Sequence, residues 1–256
     1  MVTDAWDPDQ YHRFAAERRA PFDDLLGLVE PCPGGRVVDL GCGSGELTAV
    51  LHQHTGAAST VGIDSSAAML REATAFAGGG LSFRQGDIAA LADGEGDAAA
   101  FAEDDLDVVF ANASLQWVPD HAALLGRLVQ TLAAEGQLAF QVPANYDHPS
   151  HLIGMAVAAE EPFAQAFGGA PPADHTRTVL APERYAELLD GLGATAQHVR
   201  LQVYGHRLES ADDVVEWVKG TFLNPIRAAL GADLFALYLE RYRQRLTDAL
   251  GPARPY

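Results

Sequence analysis

Only two cysteines, Cys32 and Cys42, occur in 256 residues, too few for a disulfide framework. No hydrophobic run approaches the roughly 20 residues that a membrane-spanning helix needs. Basic residues are scarce, since 17 Lys and Arg stand against 35 Asp and Glu, giving a net charge of −18. That balance disfavours nucleic acid as a partner, because phosphate binding depends on clustered Lys and Arg. Met1-Val2-Thr3-Asp4 lacks the basic and then apolar pattern of a secretory signal. Neither an internal repeat nor a Ser/His/Asp constellation nor a metal-ligand spacing stands out. What is present is 48% hydrophobic content over a length that can bury a sizeable core. A single cytoplasmic domain with attachments is expected, a monomer or weak homo-oligomer that engages neither membrane nor nucleic acid.

The most informative stretch is Val37-Val38-Asp39-Leu40-Gly41-Cys42-Gly43-Ser44-Gly45. Its β-branched pair reads as a strand buried on both faces, and the alternate glycines allow a tight turn and a close backbone approach to a ligand. A helix should begin near Ser44 or Gly45. Two kinds of enzyme commonly own such a turn, dinucleotide dehydrogenases and methyltransferases. The dehydrogenase fingerprint Gly-x-Gly-x-x-Gly needs glycine at position 46, where this chain has Glu46. An acid at a helix N-terminus occupies the place where a pyrophosphate would sit. A cofactor without phosphates fits better.

Thr60-Val61-Gly62-Ile63 reads as the second strand and ends at Asp64, about twenty residues beyond the glycines, where this topology sets an acid against a ribose. Ser65 reads as the cap of a helix over Ala67 to Leu70. Leu81 to Gln85 alternates as a third strand and is followed by Gly86-Asp87-Ile88, giving a third carboxylate at one sheet edge. Strands near 36–40, 60–64, 81–85, 106–112 and 136–142 alternate with helical segments, so an α/β fold with a doubly wound, mostly parallel sheet is expected. A helix over 11–29 precedes the first strand. Residues 92–105 read as a solvated loop, helices are expected near 149–160, 182–192, 210–220 and 231–250, and Val199 to His206 reads as a late strand. The organisation expected is an N-terminal lid helix over 1–30, a cofactor-binding core over 35–142, and substrate-cap helices with the late strand over 143–256.

With the glycine turn, the ribose acid, Asp87 and the fourth strand Leu106 to Asn112 in place, the chain resembles the class I S-adenosylmethionine-dependent methyltransferases, which have a Rossmann-like fold. The resemblance spans roughly residues 35–142. It implies S-adenosylmethionine as cofactor and S-adenosylhomocysteine as product. It sets Asp39, Gly41 and Gly43 at the methionine end, Asp64 at the ribose, Met69 along the adenine or ribose face, Asp87 and Ile88 at the adenine edge, and Gln116 and Trp117 towards the methyl donor, with Gly45, Ser65 and Asn112 as further cofactor-binding residues. Trp6-Asp7-Pro8-Asp9-Gln10-Tyr11-His12-Arg13-Phe14, Asn112-Ala113-Ser114-Leu115-Gln116-Trp117, Gln141-Val142-Pro143-Ala144-Asn145-Tyr146 and Glu216-Trp217-Val218-Lys219-Gly220-Thr221 are similar to a small subfamily of that class, the trans-aconitate methyltransferases. That likeness implies O-methylation of a carboxylate of trans-aconitate to a monomethyl ester. The family closes its sheet with a hairpin of sixth and seventh strands, whereas one clear strand follows residue 190 here. Another small carboxylic acid or a natural-product hydroxyl is the alternative acceptor, and an NAD-binding dehydrogenase is the reading from a different class.

Such chemistry needs an anion clamp, because a carboxylate with an ordinary pKa of about 4 is already ionised at neutral pH and arginine pairs with it bidentately. No catalytic residue beyond orientation and the clamp is expected. The substrate candidates are Tyr11, Arg18, Trp117, Asn145, Tyr146, His206 and Arg207, with Arg177 as a further arginine. Plainer roles compete. Arg19 reads as a solvated helix face, Trp217 as core, Cys42 as a small packing residue, Asp120 as the start of a helix with His121 exposed, and Asp107 as the ordinary acid opening a strand.

Overall fold

In the computed structural model of the chain, the described residues are 15–93, 105–169, 178–206, 208 and 210–251, with the side chains of 15–18 and 91–93 outside that description. They divide into two compact units. The first holds the sheet, runs from Arg18 to Ala144 and takes in the returning segment that ends at Val203; the second holds Asn145 onward and Tyr204 onward.

In the first unit, helix α1 (Ala15–Leu26) leads into β1 (Arg36–Leu40), α2 (Glu46–Thr55), β2 (Ser59–Asp64), α3 (Ala67–Ala73), β3 (Leu81–Gln85), α4 (Ile88–Asp93), β4 (Leu106–Asn112), α5 (His121–Gln130) and β5 (Leu132–Gln141). The strands pair in parallel in the order β3-β2-β1-β4-β5. Alternation along β1 and β4 explains the layering. Val37, Val108 and Phe110 face one core with Phe22, Leu25 and Leu26 of α1 and Leu51 of α2, while Val38, Val109 and Ala111 face the opposite core with Leu124, Leu125 and Leu128 of α5. Apolar residues on both faces of each strand require helices on both faces, which is the doubly wound arrangement.

Several expectations shift. β5 begins earlier than the pattern suggests, with a register irregularity against β4 between Leu106 and Val108. Residues 199–206 form no strand, and Leu201 and Val203 are 64% and 80% exposed, so alternation alone did not give the segment a place in the sheet. Helix α8 (Pro182–Gly191) belongs with the sheet rather than with the cap, because Tyr185 is buried among the side chains of the second core. α2 starts at Glu46, with Gly45 as its cap. The capping residue of α3 is Ser66 rather than Ser65, since the Ser66 hydroxyl accepts from the Met69 amide at 3.2 Å.

The second unit packs α6 (Pro149–Ala158), α7 (Phe163–Ala166), α9 (Ala211–Lys219) and α10 (Asn224–Leu250) around Val157, Val215, Leu223, Tyr238, Tyr242 and Leu246. α10 bends at Gly231, whose φ of 69° leaves the helical range. Both buried tyrosine hydroxyls are satisfied, Tyr238 donating to the Gly154 carbonyl at 3.0 Å and Tyr242 to that of Ser150 at 2.9 Å, as buried polar groups require. Among the described residues, no helix is long and apolar enough to cross a membrane.

Candidate functional site

The strand order reverses between β1 and β4, and ligands of open parallel sheets bind outside the strand carboxyl ends at such a switch point. Here the turn after β1 and the turn after β4 meet. Gly41, Gly43 and Gly45 have φ of 78°, 55° and 82°, the left-handed region that side chains disfavour. A Cβ on Gly41 would strike the side chain of Ser114, whose hydroxyl donates to the Leu40 carbonyl at 2.6 Å. At Gly43 none of the described residues lies within 4 Å of where a Cβ would stand, which leaves the backbone there open to an incoming group. Gly45 differs, because its missing side chain makes room for Phe83 and Ala73 at 2.7 and 2.8 Å; it packs α2 onto the sheet.

Three carboxylates border this cradle, each held differently. Asp64 accepts from the Gly43 amide at 2.9 Å and from the Ser66 amide at 2.8 Å, so it fixes the glycine turn to the end of β2. Asp39 is 4% exposed and accepts from the Thr48 hydroxyl at 2.6 Å. Burial raises its carboxyl to about 7, the Thr48 hydrogen bond opposing and the Asp64 charge adding to the shift. The same burial, with the charges of Asp39 and Asp64, pushes the Cys42 thiol upward, which leaves it an unreactive packing residue. Asp87 is exposed and accepts from the Ala89 amide at 2.9 Å, capping α4, while Ile88 packs against the core. Ser65 is exposed, with its carbonyl accepting from Gln85 at 3.0 Å, and Met69 is 3% exposed.

On the β4 side, the Asn112 side-chain oxygen accepts from the Gln141 amide of β5. Ala113 takes the left-handed region, with φ of 53°, and a single 3-10 turn follows at Leu115–Trp117. Gln116 is 5% exposed; its amide nitrogen donates to the Ala113 carbonyl at 2.7 Å, and its Oε1 is buried without a hydrogen-bond partner among the described residues. A buried acceptor left unpaired costs about 1–3 kcal/mol, and this one sits at the switch point. Trp117 beside it is half-buried.

Sequence reasoning missed four contributors here. Ser114 lies in the segment after β4 and Thr48 just beyond the glycine turn, yet nothing in spacing assigns them a partner. His121, expected to be exposed, is 3% exposed, and Tyr185 lies 64 residues away from it with a hydrogen bond between them. Asp120 does cap α5, accepting from the Ala123 amide at 3.0 Å.

Of the substrate candidates, Tyr11, Arg177 and Arg207 and the side chain of Arg18 lie outside the described residues. In the second unit Asn145 and Tyr146 are exposed, and His206 packs against Trp217 with ring centroids 4.8 Å apart and the planes tilted by 35°. Trp217 itself is only partly buried against that unit's core. Arg19 pairs with Asp23 along α1 at 2.7 Å with both side chains largely in solvent, the solvated face its position suggests.

The residues fit an adenosine cofactor that carries an amine. Gly43 offers open backbone, Asp64 stands at the β2 end, and Gln116 presents an unpaired acceptor. Parallel sheet, glycine cradle and strand-end acids together define an α/β methyltransferase of the S-adenosylmethionine-dependent kind. The comparisons agree. The methyltransferase-domain family matches residues 10–199. A trans-aconitate 2-methyltransferase of Deinococcus radiodurans is 44% identical over 98% of this chain and 93% of its own length, and one of Methylobacterium nodulans is 41% identical over 96% and 91%. The solved structure of the YcgJ protein of Bacillus subtilis shares the fold, with a TM-score of 0.56 at 14% identity over 92% of this chain and 85% of that one. The chain belongs to the methyltransferase family and groups within it with the trans-aconitate 2-methyltransferases.

Proposed function

We propose that this protein transfers a methyl group from S-adenosylmethionine to one carboxylate of trans-aconitate, releasing the monomethyl ester and S-adenosylhomocysteine. The observation that carries the acceptor is the 44% identity over nearly the whole chain to a relative of that name; the cradle between β1 and β4 supports the cofactor. When bound, S-adenosylmethionine supplies a methyl group carried on a sulfonium.

The chain's own residues bind and orient. Gly41 and Gly43 let the backbone approach the methionine end, Asp64 receives the ribose hydroxyls, Asp87 and Ile88 border the adenine, and Asn112 and Gln116 face the methyl donor. Ser65 and Met69 belong to the ribose and adenine side. Asp39 acts at one remove, through Thr48 and by its charge. An acceptor carboxylate arrives ionised, so the work asked of the protein is alignment and exclusion of water, worth on the order of 7–11 kcal/mol when geometry is good. Tyr11, Arg18, Trp117, Asn145, Tyr146, His206 and Arg207 are the groups we assign to the acceptor, an arginine supplying the bidentate clamp. The net charge of −18 makes that clamp necessary, since the average field repels a tricarboxylate.

Mass spectrometry of reactions containing the protein, S-adenosylmethionine and, separately, trans-aconitate, cis-aconitate, citrate or isocitrate tests the acceptor. A singly methylated trans-aconitate formed much faster than any other ester is expected. Faster esterification of another acid, or methylation of a hydroxyl, would reassign it. Arg18→Ala should raise the acceptor's KM and leave the Kd of S-adenosylhomocysteine unchanged.

A further inference from the structure

His121 sits at the start of α5, directly beyond the β4 turn, with both ring nitrogens engaged. Its Nε2 lies 2.9 Å from the Leu115 carbonyl, which can only accept, so Nε2 carries the proton. Nδ1 is then an acceptor. The Tyr185 hydroxyl, 2.5 Å from it, donates to Nδ1 and accepts in turn from the Leu180 amide at 3.2 Å. Every hydrogen in this chain of bonds has one direction: Leu180 amide to Tyr185 hydroxyl, Tyr185 to His121, His121 to Leu115. The two rings lie 5.8 Å apart and Phe140 of β5 closes edge-on against Tyr185 at 5.4 Å, so neither ring is loose.

The relay ends on the residue next to Gln116. Thr178 adds a weaker tether to the same turn, donating to the Gln116 carbonyl at 3.4 Å. Held this way, Gln116 donates its own amide hydrogen to Ala113 and keeps Oε1 buried and unpaired. An atom in that state is matched by a ligand donor. A tricarboxylate at neutral pH has none, whereas the cofactor's amino group has three. The strand order agrees, because β2 and its ribose acid lie on one side of β1 and the Gln116 turn on the other, which sends the end of the cofactor remote from adenine towards β4.

We propose that Tyr185 and His121 are positioning residues that set the Leu115–Trp117 turn so that Gln116 Oε1 accepts a hydrogen bond from the cofactor's amino group. This rests on the β1–β4 crevice being the cofactor site. Affinity for the cofactor is thereby controlled from α8, through a residue that touches no ligand.

Calorimetric titration of the full chain with S-adenosylhomocysteine, in a double-mutant cycle of Tyr185→Phe and Gln116→Leu, tests it. Gln116→Leu is expected to weaken binding about tenfold, as loss of a hydrogen bond to a charged group does. Tyr185→Phe should weaken it about threefold to tenfold alone and less than about twofold in the Gln116→Leu background, since the two act on one bond. A purely structural Tyr185 would lower the melting temperature while its binding penalty, if any, multiplied with that of Gln116→Leu; that result overturns the relay. As a second arm, His121→Gln keeps a donor within reach of Leu115 and should bind nearly as the wild type, whereas His121→Asn, too short to reach, should match Tyr185→Phe. Equal behaviour of the two would also overturn it. Absence of S-adenosylhomocysteine binding by the wild type would overturn the cofactor site itself, a failure distinct from multiplicative penalties in a protein that binds.

Discussion

The two sides of the strand-end crevice are built in opposite ways. On the β1–β2 side the shaping groups lie close in sequence: the glycine turn, Asp39, Thr48, and Asp64 with its bonds to Gly43 and Ser66. On the β4 side the decisive contact joins His121 to Tyr185, 64 residues apart. A turn made from its own backbone and immediate neighbours fails when one residue is given a side chain. A turn held by a remote relay can be loosened without touching the ligand or the sheet.

Changes on the β1 side should therefore have the larger effects. Gly41→Val combines a left-handed φ of 78° with a collision against Ser114, so S-adenosylhomocysteine affinity should fall by more than about a hundredfold, with a lowered melting temperature. Retention of near-native affinity would break the distinction between the two sides. Asp64→Ala removes the acceptor of the Gly43 and Ser66 amides as well as the proposed ribose partner, and a loss of about tenfold or more in affinity is expected by calorimetry. Should the melting temperature fall while the Kd stays fixed, Asp64 would be only a structural brace.

Asp39 gives the β1 side a dependence on pH. Its carboxyl is raised from the ordinary value of 3.8 to about 7, so between those values the folded chain holds a proton that the unfolded chain has released. Stability therefore falls as pH rises through that window. A cationic ligand acts in the reverse sense, because it favours the ionised carboxylate and expels the proton. Affinity for S-adenosylmethionine should rise between pH 6 and 8, by less than about tenfold per unit since one proton is involved, and Asp39→Asn should flatten the profile. A wild-type affinity independent of pH would show that the ligand does not sense Asp39. The smallest effect expected is that of Arg200→Ala, whose partner Asp24 is 3.7 Å away with both side chains more than two-fifths exposed. Exposed pairs contribute about 0–1 kcal/mol, so any melting-temperature shift should be at most a few degrees and cofactor affinity should be untouched.

Much of the first unit was legible from residues alone. Val37-Val38 and Val108-Val109-Phe110 face both cores because continuous apolar runs have no polar face to show to water, and the left-handed turns at Gly41 and Gly43 follow from glycines that bulkier residues could not replace. Asp64 was found by its place at a strand end. Other readings failed for physical reasons. His121 carries a polar ring next to a cap and a proline, the pattern of a surface residue, and only the Tyr185 hydroxyl and the Leu115 carbonyl make its burial tolerable. Residues 199–206 alternate as a strand does, yet a strand exists only with a neighbour to share its hydrogen bonds, and that segment joins no ladder of the sheet.

By itself, then, the sequence determined what short-range chemistry can determine: which segments become buried strands, where the chain must turn on glycine, and which carboxylates stand at strand ends. The tertiary structure decided how each of those groups is held. Asp39 turned inward to Thr48, Gly45 was taken up by packing, and Gln116 keeps one oxygen without a partner among the described residues, next to a turn that His121, itself bonded to Tyr185 of α8, contacts. Hydrogen-bond partnership inside a core depends on segments far apart in the chain arriving together, and no local pattern of residues encodes that arrival.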